Sequence, residues 1–109
     1  KGTKEEDSAA IRSRVEKVQK IQARRYEGTS YRFNGDLDSA GVQKYCALGA
    51  AEEKLLGGMY QKFSLTARSC HRLLKVARTL ADMDESENIG KKHLAEAAAF
   101  RAADEKYWG

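Results

Sequence analysis

The chain has 109 residues, with 41% hydrophobic and 33% charged side chains and no proline, which fits one small helix-rich domain with a modest core. Lys and Arg number 20 against 16 acids, for a net charge of +4 and a pI near 9.1; that balance permits phosphate contacts without requiring them. No apolar run is long enough for a membrane span and no signal peptide is visible.

The polar residues Lys1 to Asp7 are expected to fray. Ser8 is a candidate N-cap for the first helix, with Thr3 and Glu6 as a competing capping box. Ile11, Val15, Val18 and Ile21 then recur at helical spacing, and Gly28 ends the run. Thr29 to Asp38 reads as a loop turning at Asn34-Gly35-Asp36. A short second helix is expected over Ser39 to Cys46 and a third over Ala50 to Phe63, with Leu55, Leu56, Met59 and Phe63 inward. The Gly57-Gly58 pair inside the third calls for a close helix crossing or a local distortion. Thr66 caps the fourth helix, whose apolar face is Leu73, Val76, Ala77 and Leu80, and an acidic loop from Asp82 to Asn88 ends it. Lys91 to Asp104 forms a fifth. No stretch has the alternation of a strand, so the fold class is all-α, a small bundle of about five helices in a single domain.

Cys46 and Cys70 lack zinc-ligand spacing and make a thin disulfide framework. They read as reduced thiols of a cytoplasmic protein, and no metal site is expected. There is no phosphate-cradling GxxxxGK(S/T) loop, no recognisable nucleophile–base set and no acidic pair, so no catalytic residue is assigned.

On the fourth helix Arg68, His71, Arg72, Lys75 and Arg78 fall within an arc of about 120°, opposite the apolar face. Arg68 lies in the first turn, where a guanidinium and free backbone N–H groups can face one anion. The competing reading is a solvated basic face whose arginines pair with Asp82 or Glu96. His71 and His93 suit packing or hydrogen bonding better than ligation.

The run Ser64 to Asp82, SLTARSCHRLLKVARTLAD, resembles the L-S-A-R-x-x-H-R-(I/L)-L-(K/R)-V-A-R-T-I-A-D-L pattern of magnesium-chelatase-related, ComM-type AAA+ ATPases. It departs mildly at Thr66, Leu80 and Met83. Ile11-Arg12-Ser13-Arg14-Val15 is similar to that family's I-R-x-R-V, and Asn34 with Leu37 to its N-x-x-L turn. Tyr45 to Leu48 is similar to its following helix end, Ile89 to Arg101 to its I-x-x-x-H-(I/L/V)-x-E-A-x-x-(Y/F)-R close, and Lys106-Tyr107-Trp108 to a frequent tail.

The resemblance implies an AAA+ lid: a C-terminal helical piece of a longer protein whose N-terminal core holds the Walker motifs, ATP and Mg. It assigns Arg68 the sensor-2 role toward the γ-phosphate, with Arg72 and Arg78 as further nucleotide-sensing candidates. It also implies a hexameric DNA branch-migration helicase linked to transformation. Two readings from other classes stand beside it. One is a stand-alone basic DNA-binding module using the positive charge of the first helix (Arg12, Arg14, Lys17, Lys20, Arg24 and Arg25) and of the fourth. The other is an oligomerisation domain anchored by Tyr107 and Trp108.

Overall fold

A computed structural model describes residues 8–103. Five α-helices follow in order, α1 (Ser8–Arg25), α2 (Ser39–Tyr45), α3 (Ala50–Lys62), α4 (Ala67–Met83) and α5 (Lys91–Ala103), with a 3-10 turn at Asn34–Asp36 before α2. No strand occurs among the described residues. The expected elements appear within a residue or so of their anticipated bounds. Ser8 is the first described residue of α1, and Thr3, Glu6, Asp104, Tyr107 and Trp108 lie outside the described residues.

α4 is the central helix, because its sequence places apolar side chains around roughly half its circumference. Leu73, Ala77 and Ala81 are fully enclosed and Cys70 and Leu74 are buried. α5 packs along it through Leu94 and Ala97, and α1, α2 and the 3-10 turn close its other sides. α3 packs mainly on α5. Tyr26, Tyr31 and Tyr45 meet edge to face at 5.0 to 6.1 Å between centroids, an arrangement that opposes positive ring edges to negative ring faces.

The helix ends follow from local chemistry. Thr66 Oγ1 accepts the Ser69 N–H at 3.1 Å while Ser69 Oγ accepts the Thr66 N–H at 2.9 Å, a reciprocal cap. Asp38 caps α2 by accepting the Gly41 N–H at 2.9 Å. α3 and α4 both end in a Schellman pattern, with Leu65 N–H to Tyr60 O (3.0 Å) and Ser86 N–H to Ala81 O (2.8 Å). The left-handed residues there are Ser64 and Glu85, positions where glycine is the commoner choice.

Three expectations are corrected. Gly57 and Gly58 serve no close crossing or kink: α3 runs unbroken through them, and a Cβ on either would meet nothing within 4 Å. Asp82 does not belong to an acidic loop, because α4 continues to Met83 and Asp82 is buried inside its last turn. The apolar stripe of α1 is only partly a core face. Ile11 and Val15 remain exposed: α1 meets the loop after α4 through the Lys17–Glu85 ion pair at 3.0 Å, and its first partly buried residue is Val18.

Candidate functional site: a basic pocket on α4

Asn34 builds the wall that faces α4. Its backbone N–H donates to Gln22 Oε1 (2.9 Å), and its Nδ2 donates to Thr79 Oγ1 (2.9 Å) and Asp82 Oδ2 (3.0 Å). Its Oδ1 accepts from Tyr26 OH (2.5 Å) and Arg25 Nη1 (3.2 Å). One buried amide thereby ties the 3-10 turn to α1 and α4 with its bonding capacity filled. The turn delivers Leu37 to the core and Asp38 and Ser39 to the start of α2.

Between the start of α2 and the first half of α4 lies a pocket of about 380 Å³ lined by Leu37, Asp38, Ser39, Arg68, His71, Arg72 and Lys75. Arg68 and Arg72 are exposed, and His71 and Lys75 are half-buried. The Arg68 guanidinium makes no hydrogen bond or ion pair to any described residue. It sits at the second position of α4, where the helix dipole disfavours a cation and favours an anion. Lys75 Nζ reaches Gly35 O at 3.3 Å, which tethers its ammonium to the 3-10 turn.

The acid in the pocket is already engaged. Asp38 Oδ1 accepts from Tyr31 OH (2.6 Å) and the Gly41 N–H, and these bonds, the Tyr31 one first, hold its carboxyl below the usual range. Arg68, Arg72 and Lys75 face a single carboxylate, Asp38, and the net positive charge that remains suits a multiply charged phosphate. Among the described residues no three His, Cys, Asp or Glu side chains cluster as a metal site.

The anticipated constellation divides. Arg68, His71, Arg72 and Lys75 do share one pocket, but Arg78 departs from them. Arg78 is 4% exposed, its Nη2 donating to Ser86 O (2.7 Å) and its Nη1 to Glu87 O (3.1 Å), with Asp82 Oδ1 at 3.2 Å. The helical wheel puts it at the edge of the basic arc, and the α4–α5 loop folds back over that edge. His93 is equally structural: Nδ1 accepts the Gly90 N–H, so the neutral ring donates from Nε2 to Asp84 at 2.9 Å.

Pocket residues Asp38 and Ser39 went unassigned in the sequence. The signal available was the Asp-Ser-Ala-Gly run, a helix cap with a small residue at its third position. Cys46 and Cys70 are buried free thiols, and burial pushes Cys46 up to about 11.

The sequence profile of the family described as "Magnesium chelatase, subunit ChlI C-terminal" matches residues 5–101. The chain belongs to this family. It is 37% identical over 99 residues to the uncharacterized protein YifB of Escherichia coli (strain K12), covering 91% of the chain and 19% of that protein. It is 37% identical over 101 residues to the competence protein ComM of Haemophilus influenzae, covering 93% of the chain and 19% of that protein. The chain therefore spans about a fifth of the length of these curated relatives. As a magnesium chelatase ChlI C-terminal domain of the ComM type, it carries its basic pocket on the helix that holds the Ser64 to Asp82 run. No helix among the described residues is long and apolar enough to cross a membrane.

Proposed function

We propose that this domain is the non-catalytic lid of a magnesium-chelatase-like ATPase and reads the phosphate state of a nucleotide held by a separate core. The observation that carries the reading is Arg68, exposed beside Arg72, His71 and Lys75 on one pocket and paired with no described residue. A guanidinium on a capped helix end gains charge-assisted bonds to a terminal phosphate and loses them on hydrolysis. Because α4 is the central helix, a pull on its first turn moves the whole bundle as a unit. Arg72 and Lys75 then add charge beside the phosphate, and Arg78 fixes the loop that follows α4.

In this reading ATP and Mg are bound by an N-terminal AAA+ core, and the assembly is a cytoplasmic hexamer that moves DNA branches. Membership of the ComM-type family supports it. The chain alone is expected to show no ATP turnover. Turnover by the purified chain that disappears in Arg68→Ala would overturn the division of labour between lid and core.

A second reading has its own support. The first half of α1 holds no buried residue, with Arg12 and Arg14 exposed, Lys17 exposed but paired with Glu85, and Lys20 and Arg24 following, a layout that suits a helix tracking a phosphate backbone. DNA binding by the chain with a steep salt dependence, lost when Lys20 and Arg24 become Gln, supports that role; salt-insensitive or absent binding removes it.

A further inference from the structure

A larger groove adjoins the basic pocket and shares only Arg72 and Lys75 with it. It has a volume of about 660 Å³ and runs between the second half of α4, the C-terminal half of α5 and the 3-10 turn. Val76, Leu80, Met83 and Phe100 line it, with Arg72 and Lys75 at the end shared with the basic pocket. Two large apolar side chains stand up at its edge rather than fold inward: Met83 is 50% exposed and Phe100 52%. Phe33, 48% exposed, lies against Gly35, another lining residue, and the Arg32 guanidinium sits 5.2 Å from its ring centre. Half of the six large exposed hydrophobics of the described surface therefore gather at this one place.

From that layout we infer that the groove docks an amphipathic helix carrying carboxylates beside its apolar stripe, supplied by a partner protein segment. The exposed apolar side chains of Phe100 and Met83, with Phe33 beside Gly35, offer a surface on which the apolar stripe of a docked helix can bury its anchors. An open groove with upstanding rims suits a helix better than an enclosed small molecule, which buries most of its own surface. Charge selects the partner. The lining includes Arg72 and Lys75 and no acid, so carboxylates flanking the stripe meet cations at that end, whereas Arg32 at the Phe33 edge is already paired with Asp36 at 3.2 Å. Leu80 and Val76 form the floor, held by the packing of α4 on α5. The inference does not depend on Arg68.

The test uses the chain and a synthetic helical peptide of about 16 residues, with Leu and Phe on one stripe and Glu flanking it. Saturable shifts of the Met83 methyl and Phe100 ring resonances are expected, weakening as salt is raised. Phe100→Glu and Met83→Glu, both at exposed positions that leave the core intact, are expected to weaken binding by about thirtyfold. A peptide with Lys in place of Glu is expected not to bind. The inference is overturned by no saturable shift up to roughly 1 mM peptide, by shifts confined to other faces, or by equal binding of the Lys peptide. It is also overturned by a chain dimer that Phe100→Glu dissolves, since a second copy would then be the occupant.

Discussion

The guanidinium of Arg25 grips the carboxylate of Asp82 through two hydrogen bonds, of 2.9 and 2.5 Å, joining the last turn of α1 to the last turn of α4. Asp82 is 1% exposed and also takes Asn34 Nδ2 and Arg78 Nη2. A buried charge left without its partner is strongly unfavourable, so Asp82→Ala is expected to cost about 3–5 kcal/mol. Arg25→Ala is expected to cost less, because that side chain keeps 18% exposure and its loss leaves Asp82 paired with Arg78. Urea denaturation of both variants and of the double variant measures this. A double variant no worse than Asp82→Ala shows that the two act as a unit.

Acid should unfold the domain through the same carboxylate. Burial raises the Asp82 pKa, but the hydrogen bonds from Arg25 and Asn34 and the charges of Arg25 and Arg78 outweigh it and leave it below the usual value. A carboxyl depressed in the folded state contributes its full stabilisation above the unfolded pKa and loses it as pH falls through the folded one. Stability is therefore expected to drop below about pH 4, with Asp84 contributing in the same direction through His93 and Lys92. In denaturation followed against pH, Asp82→Asn should flatten that slope while lowering stability at neutral pH.

Gly41 is fixed by packing. A Cβ there would lie 2.8 Å from Leu37 Cδ2 and 2.9 Å from the Tyr31 ring, distances that force side chains to move. Gly41→Ala is expected to destabilise by about 1–3 kcal/mol and to disturb the Tyr31–Asp38 hydrogen bond that forms part of the pocket wall. Thermal unfolding gives the first effect, and the Tyr31 hydroxyl environment, followed by NMR, gives the second.

The helices were legible because each carries its own local signals. Thr66 caps α4, Gly28 follows α1 with φ +82°, and the apolar spacing of α4 is regular. Arg68, Arg72, His71 and Lys75 were legible as neighbours for the same reason, since residues three and four apart share a helix face. What spacing conceals is long-range. Asp82 looks like the start of an acidic loop until Arg25, 57 residues earlier, is seen to neutralise it. Asn34 reads as an ordinary turn residue, and only the folded chain shows it joining α1 to α4. Arg78 belongs to the basic arc by angle, yet the returning loop decides its environment. Ile11 and Val15 fit the apolar stripe, but periodicity cannot tell where the supporting bundle stops.

The proposed phosphate-reading role of Arg68 is tested by steady-state ATP turnover of the full-length protein carrying Arg68→Ala. A lost charge-assisted bond of about 1.5–3 kcal/mol corresponds to a fall of about tenfold to a hundredfold. A fall of that size is expected, with unfolding of the domain unchanged because Arg68 is exposed and bonded to no described residue. Turnover within about twofold of the unsubstituted protein, with assembly in ATP unaltered, would contradict it.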